Sequence, residues 1–232
     1  MKKFISVMLV AAMAVTALTG CGSNSGASSK KDEDKYYIGG IGPTTGATAI
    51  YGTAVKNGAQ IAVDEINAAG GINGKQIEYR FEDDQNDAEK AVNAYNTLKD
   101  WGMQVLMGTV TSAPCVAVAD KTNADNMFQI TPSGSSVECA QNPNVFRVCF
   151  SDPDQGAASA TYIAENKLAE KIAVIYDSSD VYSSGIYEKF AAEAANQGLE
   201  IVDAEAFTAD SNKDFSTQLQ KAKDAGADLV FL

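Results

Sequence analysis

From residue 36 onward, two hydrophobic periods alternate along the chain. Short apolar, β-prone runs at 36–41, 76–82, 105–107, 127–131, 145–150, 171–176, 200–207 and 229–232 predict strands. The second is the clearest, with Ile77, Tyr79 and Phe81 alternating with polar neighbours. Between these runs the spacing becomes helical. Residues 49–69 place Val55, Ala59, Ala62 and Ile66 on one predicted face, and 87–100 do the same with Ala91, Ala94 and Leu98. Further helices are predicted at 112–126, 156–166, 183–196 and 215–225. Gly70-Gly71 stops the first helix, and Ser112 is expected to cap the third, with Pro114 in its first turn.

This alternation predicts an α/β fold, with parallel sheets covered by helices. Asp152-Pro153-Asp154-Gln155-Gly156 interrupts the rhythm and reads as a crossing between lobes. The expected organisation is a first lobe over 36–152 and a partial second lobe over 153–232. Ligands in such folds sit beyond the carboxyl ends of strands, which directs attention to loops 39–51, 83–87, 108–114, 132–136 and 177–184. The last residues, Asp228-Leu229-Val230-Phe231-Leu232, read as an apolar strand with nothing after it to cover it. The expectation is a C-terminally truncated chain whose second lobe is incomplete.

The first 35 residues follow neither period. Two lysines precede an apolar run over 4–18, the length of a signal-peptide core and too short to cross a bilayer of roughly 30 Å. It closes on Leu18-Thr19-Gly20-Cys21. This resembles a bacterial lipoprotein signal, which implies removal of 1–20, acylation of Cys21 and an extracytoplasmic chain held to the membrane by lipid. A plain secretory leader with a chance cysteine is the alternative. Residues 21–35 are small, polar and charged, and read as a tether.

Charge narrows the function classes. The full chain has 18 basic and 30 acidic residues, and its net charge of −12 becomes −14 once the two leader lysines are removed. That disfavours nucleic acid, whose binding depends on Lys and Arg displacing counterions. The sequence contains no histidine, which excludes His-based triads and His-ligated zinc within it. Three cysteines follow Cys21, at 115, 139 and 149, with no C-x-x-C pair. They read as buried free thiols, with a Cys139–Cys149 bridge as the alternative. Glu82-Asp83-Asp84 lacks the Gly and terminal Glu of an EF-hand loop, and reads as a solvated strand end rather than a calcium site. No metal or cofactor is expected.

The glycine-rich stretch I-G-G-I-G-P-T-T-G-A-T-A-I-Y-G at 38–52 raises a dinucleotide reading. That fingerprint places an acidic residue roughly 20 positions on; here the next strand ends about 37 residues past Gly46. An alternative is that the glycines only make a wide turn. The stretch and the N-G-A-Q-I-A-V-D-E-I-N-A-A-G-G-I-N-G-K that follows resemble the branched-chain amino-acid-binding proteins of ABC importers, of the type I periplasmic-binding-protein topology. Y-R-F-E-D-D-Q-N-D, G-T-V-T-S-A-P, I-T-P-S-G-S-S, F-R-V-C-F-S-D-P-D-Q-G, V-I-Y-D-S-S-D-V-Y-S-S-G and K-D-F-S-T-Q-L continue the resemblance, in order, to residue 232.

The resemblance implies two α/β lobes that close on an amino acid without catalysing a reaction. It implies that the glycines let their loop approach the ligand, and that Tyr51 and Tyr182 bracket it from opposite lobes. It places Ser112 at the carboxylate, beside a helix N-terminus, and Ser133, Gly134 and Ser135 at the ammonium. Asp152 and Gln155 fall in the hinge. In the same way it implies an ABC permease with its ATPase subunits as partner, and a monomer. A disulfide of some relatives is absent, since Asn86 and Thr111 stand at its places. The family's usual acidic ammonium ligand has no counterpart before residue 232. Alternatives are a sensory receptor domain of the same fold, and a different small carboxylate or amide as ligand. The absence of G-x-S-x-G as well as of histidine argues against a hydrolase.

Overall fold

The structure is a computed structural model that describes residues 35–232. The expected leader, the Cys21 anchor and nearly all of the expected tether lie outside the described residues. Strands β1 (Lys35–Gly42), β2 (Gln76–Asp83), β3 (Val105–Gly108), β4 (Phe128–Thr131) and β5 (Val145–Arg147) form one sheet, in the order β2-β1-β3-β4-β5. Strands β6 (Lys171–Asp177), β7 (Glu200–Phe207) and β8 (Leu229–Phe231) form a second, in the order β7-β6-β8. All pairings between these strands are parallel, Ile38 lying against Tyr79 on one side and Val105 on the other. The helices are α1 (Ala49–Ala68), α2 (Ala88–Trp101), α3 (Ser112–Ala124), α4 (Asp152–Glu165), α5 (Val181–Gln197) and α6 (Ser216–Asp224).

Local chemistry fixes the helix ends. Asp87 caps α2 by accepting the Lys90 N–H, and Gly102 closes it at φ 95°. Asp180 caps α5 in the same way through the Tyr182 N–H. Beneath the first sheet Tyr95, Leu98, Leu106 and Val118 are fully buried together. Under the second, Ile172, Val174 and Phe190 pack with Ala160 and Ile163 of α4, and Phe231 stacks on Phe190 at 4.1 Å. Helices α4 and α5 touch backbone to backbone at Gly156, where a Cβ would strike the Ile186 carbonyl and the Phe190 nitrogen. Any side chain there would force the helices apart.

Four expectations are corrected. Helix α1 buries Gly52 and Val63, with Val55, Ala59 and Asn67 half-buried, while Ala62 and Ile66 face outward. The packing face includes a polar residue: Asn67 donates to the Ile77 carbonyl and accepts the Ile77 N–H, joining α1 to β2. The predicted break at 152–156 is instead the first turn of α4, because Ser151 and Asp154 form a capping box around Pro153. Asp84 is fully buried rather than solvated. Cys139 and Cys149 are unbridged, and Cys149 is half-exposed rather than buried.

Candidate functional site

A cavity of about 520 Å³ opens at the carboxyl ends of the first sheet's strands and is closed on its far side by α4 and α5. Loop chemistry delivers each wall. Thr48 and Tyr51 come from the start of α1. The loop that supplies them is held down by Asp83, whose carboxylate accepts the Thr44 N–H at 2.8 Å and the Thr45 hydroxyl at 2.5 Å. Asn86 lines the cavity from the loop after β2, and Val110, Thr111 and Ser112 line it where β3 turns into α3.

The glycines of 38–52 act differently from the expectation. A Cβ on Gly39, Gly40 or Gly42 would collide with Met103, Phe81 or Val110 respectively, so these glycines admit core side chains rather than a ligand. Gly46 supplies a turn at φ 85°, and none of the four lines the cavity.

Ser112 is the first residue of α3 rather than its cap. Its hydroxyl oxygen accepts the N–H groups of Ser135 and Ser136, each at 3.2 Å. With its lone pairs engaged in this way, the hydroxyl keeps its proton to donate. Thr111 occupies the N-cap without a capping bond, and its buried hydroxyl has no partner although the residue lines the cavity. Sequence reasoning missed this residue; the adjoining hydroxyl pair Thr111-Ser112 at a helix start was the available signal.

The loop after β4 is pinned from several sides. The Ser133 hydroxyl donates to the Val110 carbonyl at 2.6 Å. Arg147 donates to the Ser135 and Ser136 carbonyls at 3.1 and 3.0 Å. Ser133 and Ser135 line the cavity, whereas Gly134 lies behind them with its N–H on the Thr131 hydroxyl.

The opposite wall is looser. Tyr182 and Asp180 reach the cavity from the start of α5, Gln155 from α4, and Cys149 and Phe150 from the segment after β5. The Tyr182 hydroxyl accepts from Gln155 at 3.3 Å. Asp152 does not line the cavity. It is buried against Gly185 of α5, with the Ser135 hydroxyl and the Arg147 guanidinium near its carboxylate. Burial raises its affinity for a proton; the Ser135 hydroxyl and the Arg147 charge oppose that, and the Asp180 charge adds to it.

The cavity wall carries a single acidic group and no basic one. Asp180 supplies its one ionisable carboxylate, no Lys or Arg lines it, and Tyr51, Val110, Phe150 and Tyr182 give it apolar surface. Among the described residues no cluster of acids and cysteines has the makings of a metal site, and no helix is long and apolar enough to cross a membrane.

Comparison with known proteins places this geometry. Residues 35–232 match the periplasmic binding protein family. A Leu/Ile/Val-binding protein homologue of Brucella melitensis is 35% identical over 196 residues, which are 84% of this chain and 53% of that protein. The chain thus spans about half the length of the curated relatives it matches. The isoleucine complex of the Streptococcus pneumoniae branched-chain amino acid transporter substrate-binding protein LivJ superposes with a TM-score of 0.78 at 32% identity, over 84% of this chain and 56% of that one. A Rhodopseudomonas palustris solute-binding protein solved with 3,4-dihydroxybenzoic acid shares the fold, with a TM-score of 0.77 at 22% identity, over 86% of this chain and 55% of that one.

Proposed function

The chain belongs to the periplasmic binding protein family, and from that premise we propose that it binds an aliphatic α-amino acid, of the branched-chain class, in the cavity between its two sheets. The observation that carries this reading is the wall chemistry. Thr111 and Ser112 present hydroxyls at the uncapped N-terminus of α3, where a carboxylate is favoured. Asp180 and the Ser135 hydroxyl offer acceptors to an ammonium, and the aromatic and Val110 surfaces suit an apolar side chain. One carboxylate with no opposing cation favours a zwitterion over a plain anion. Names of relatives support the same class: a Leu/Ile/Val-binding homologue, and a transporter protein solved with isoleucine.

In this reading the protein is a non-enzymatic, monomeric component of an ABC importer. It collects the amino acid outside the cytoplasm, with Cys21 carrying the lipid anchor, and passes it to the permease and its ATPase subunits. Asp152 and Gln155 belong to the hinge segment at the start of α4, where closure would act.

Calorimetry tests the ligand with leucine, isoleucine and valine beside 4-methylpentanoate, which lacks the ammonium, and 3-methylbutylamine, which lacks the carboxylate. Binding is expected for the amino acids and lost for both analogues, because each leaves buried polar groups unpaired. Asp180→Asn should weaken the amino acids about tenfold, the loss of one charge-assisted bond. A carboxylic acid without an ammonium that binds as tightly as leucine would hand the site to the alternative ligand class. Labelling cells with a fatty-acid analogue tests the anchor: Cys21→Ala should abolish both label and membrane retention, and unchanged labelling removes the lipoprotein reading.

A further inference from the structure

Helices α2 and α5 are each fixed at their start by an aspartate cap, but α1 has no such anchor. Thr48 stands at its N-cap without a side-chain capping bond, and no acidic residue lies in its first turn. Yet this is the turn that carries Tyr51 into the cavity. What holds it comes from a neighbouring strand. The register pairs Gly42, the last residue of β1, with Asp83, the last residue of β2, so Asp83 stands beside the point where the chain leaves the sheet for α1. Its carboxylate accepts the Thr44 N–H at 2.8 Å, the Thr45 hydroxyl at 2.5 Å and the Gln85 N–H at 3.0 Å.

The other side of the same segment is gripped by α1 itself. Gly52 is buried, and a Cβ on it would collide with the Pro43 carbonyl. From these two holds to the ring the chain is short and bonded. Gly46 turns at φ 85° and its carbonyl accepts the Ala49 N–H at 3.3 Å, while the Thr48 carbonyl accepts the Tyr51 N–H at 3.1 Å. Tyr51 is 60% exposed, so its backbone rather than its packing places the ring. Partial burial favours protonation of Asp83, and the Thr45, Thr44 and Gln85 donors outweigh it, which keeps the carboxyl below its usual range and the grip ionised at neutral pH. The bonds that fix Ser112, Ser133 and Arg147 involve neither Asp83 nor this loop.

We propose that Asp83 is a positioning residue for side-chain selection: through Thr44 and Thr45 it sets where Tyr51 meets the ligand. This role rests on the amino-acid reading of the cavity and refines it, because it divides the first-sheet side in two. Ser112, Ser133 and Ser135 meet the charged ends that all α-amino acids share. The loop held by Asp83 meets the part that differs. Without the carboxylate, the loop and the uncapped start of α1 gain freedom that binding must take back, and the burial of a large apolar side chain against the ring suffers. A small side chain has little surface to lay there. The Thr45 contact with Asp83 is solvent-exposed, so its removal is not expected to unfold the protein.

Variants of the 232-residue protein separate the hold on the loop from ligand binding. Asp83→Ala removes every acceptor, whereas Asp83→Asn keeps a carbonyl oxygen and turns an NH2 group toward one of the donors. Amide hydrogen exchange without ligand, read by mass spectrometry, should speed up over residues 43–52 in Asp83→Ala and stay as in the parent over 128–147. Calorimetry should show isoleucine weakened roughly fivefold and alanine less than about twofold, with Asp83→Asn between Asp83→Ala and the parent. Tyr51→Ala should show the same loss of selectivity, and adding Asp83→Ala to it should weaken isoleucine no further. Unchanged exchange over 43–52 overturns the proposal, as does equal weakening of the two amino acids or a further loss in the double variant. If the parent binds neither amino acid, the ligand reading fails and the selectivity claim with it, whereas the exchange result still decides whether Asp83 holds the loop.

Discussion

The two walls of the cavity are built to different standards. On the first-sheet side, the hydroxyls of Ser112 and Ser133 are already engaged with backbone, and Arg147 clamps two carbonyls of the facing loop. On the α5 side, Tyr182 is 40% exposed and its hydroxyl meets Gln155 at a long 3.3 Å. A wall fixed before binding loses little freedom when a ligand arrives. The Tyr182 side chain, held by one long contact, can move onto it. The first wall therefore suits the fixed geometry of an amino acid's charged ends, and the second suits a side chain that varies.

Breaking the fixed wall should cost the most. Ser112→Ala removes the acceptor for two buried N–H groups and, in the proposed complex, a donor to the ligand carboxylate. Each unmade bond to a charged group is worth about 1.5–3 kcal/mol, and each buried orphan about 1–3 kcal/mol. Affinity for leucine should fall roughly tenfold to a hundredfold, with a lower unfolding midpoint in the same protein. Calorimetry and a urea melt read both losses. A variant that binds leucine like the parent would show that this wall is not where the ligand's charge is met.

The next effect separates the fixed wall from the support behind it. Asp84 is fully buried; its Oδ1 accepts the Asn86 N–H, while Oδ2 has no partner. Burial raises its pKa to about 6, from 3.8. Between those values the folded protein binds more protons than the unfolded chain, so this contribution is complete at low pH and is lost as pH rises through about 6. The difference corresponds to about 3 kcal/mol. Urea unfolding between about pH 4 and 7 should show Asp84→Asn gaining on the parent by about 2–3 kcal/mol as pH rises. Parallel curves would mean that Asp84 is ionised throughout.

The same contrast explains what could be read from the residues. Strand and helix order was legible because apolar periodicity is a property of whole segments: the pattern Ile77, Tyr79, Phe81 could only be a strand, and it is one. Tyr51, Ser112, Ser133, Ser135 and Tyr182 were reached through the family resemblance, and the structure brings all five to one cavity. Features that depend on a partner in space were hidden. The inner face of α1 could not be ranked by hydropathy, because Asn67 packs there through two backbone bonds while Ile66 turns outward. Asp84 looks like Glu82 and Asp83 in sequence, yet those two are half-buried and it is fully buried. Asp152-Pro153 resembles a breaker until Ser151 is seen to cap it. Asp180 was passed over because capping a helix and facing a cleft leave the same mark on a sequence.

The smallest expected effect lies on the loose wall. Tyr182→Ala removes an aromatic face that is already 40% exposed and whose hydroxyl is held by the long contact from Gln155. It breaks no bond of the first wall. Only the area newly buried by a ligand is lost, and a fraction of an aromatic side chain at roughly 25 cal/mol per Å² comes to about 1 kcal/mol. That is about fivefold in affinity for isoleucine. The loss should shrink for alanine as ligand, which has little surface to lay against the ring, while Ser112→Ala should weaken both amino acids alike. The ratio of the two affinities in each variant is the measurement. If Tyr182→Ala weakens alanine and isoleucine equally, α5 contributes to the reading of the charged ends, and the division of labour between the walls is wrong.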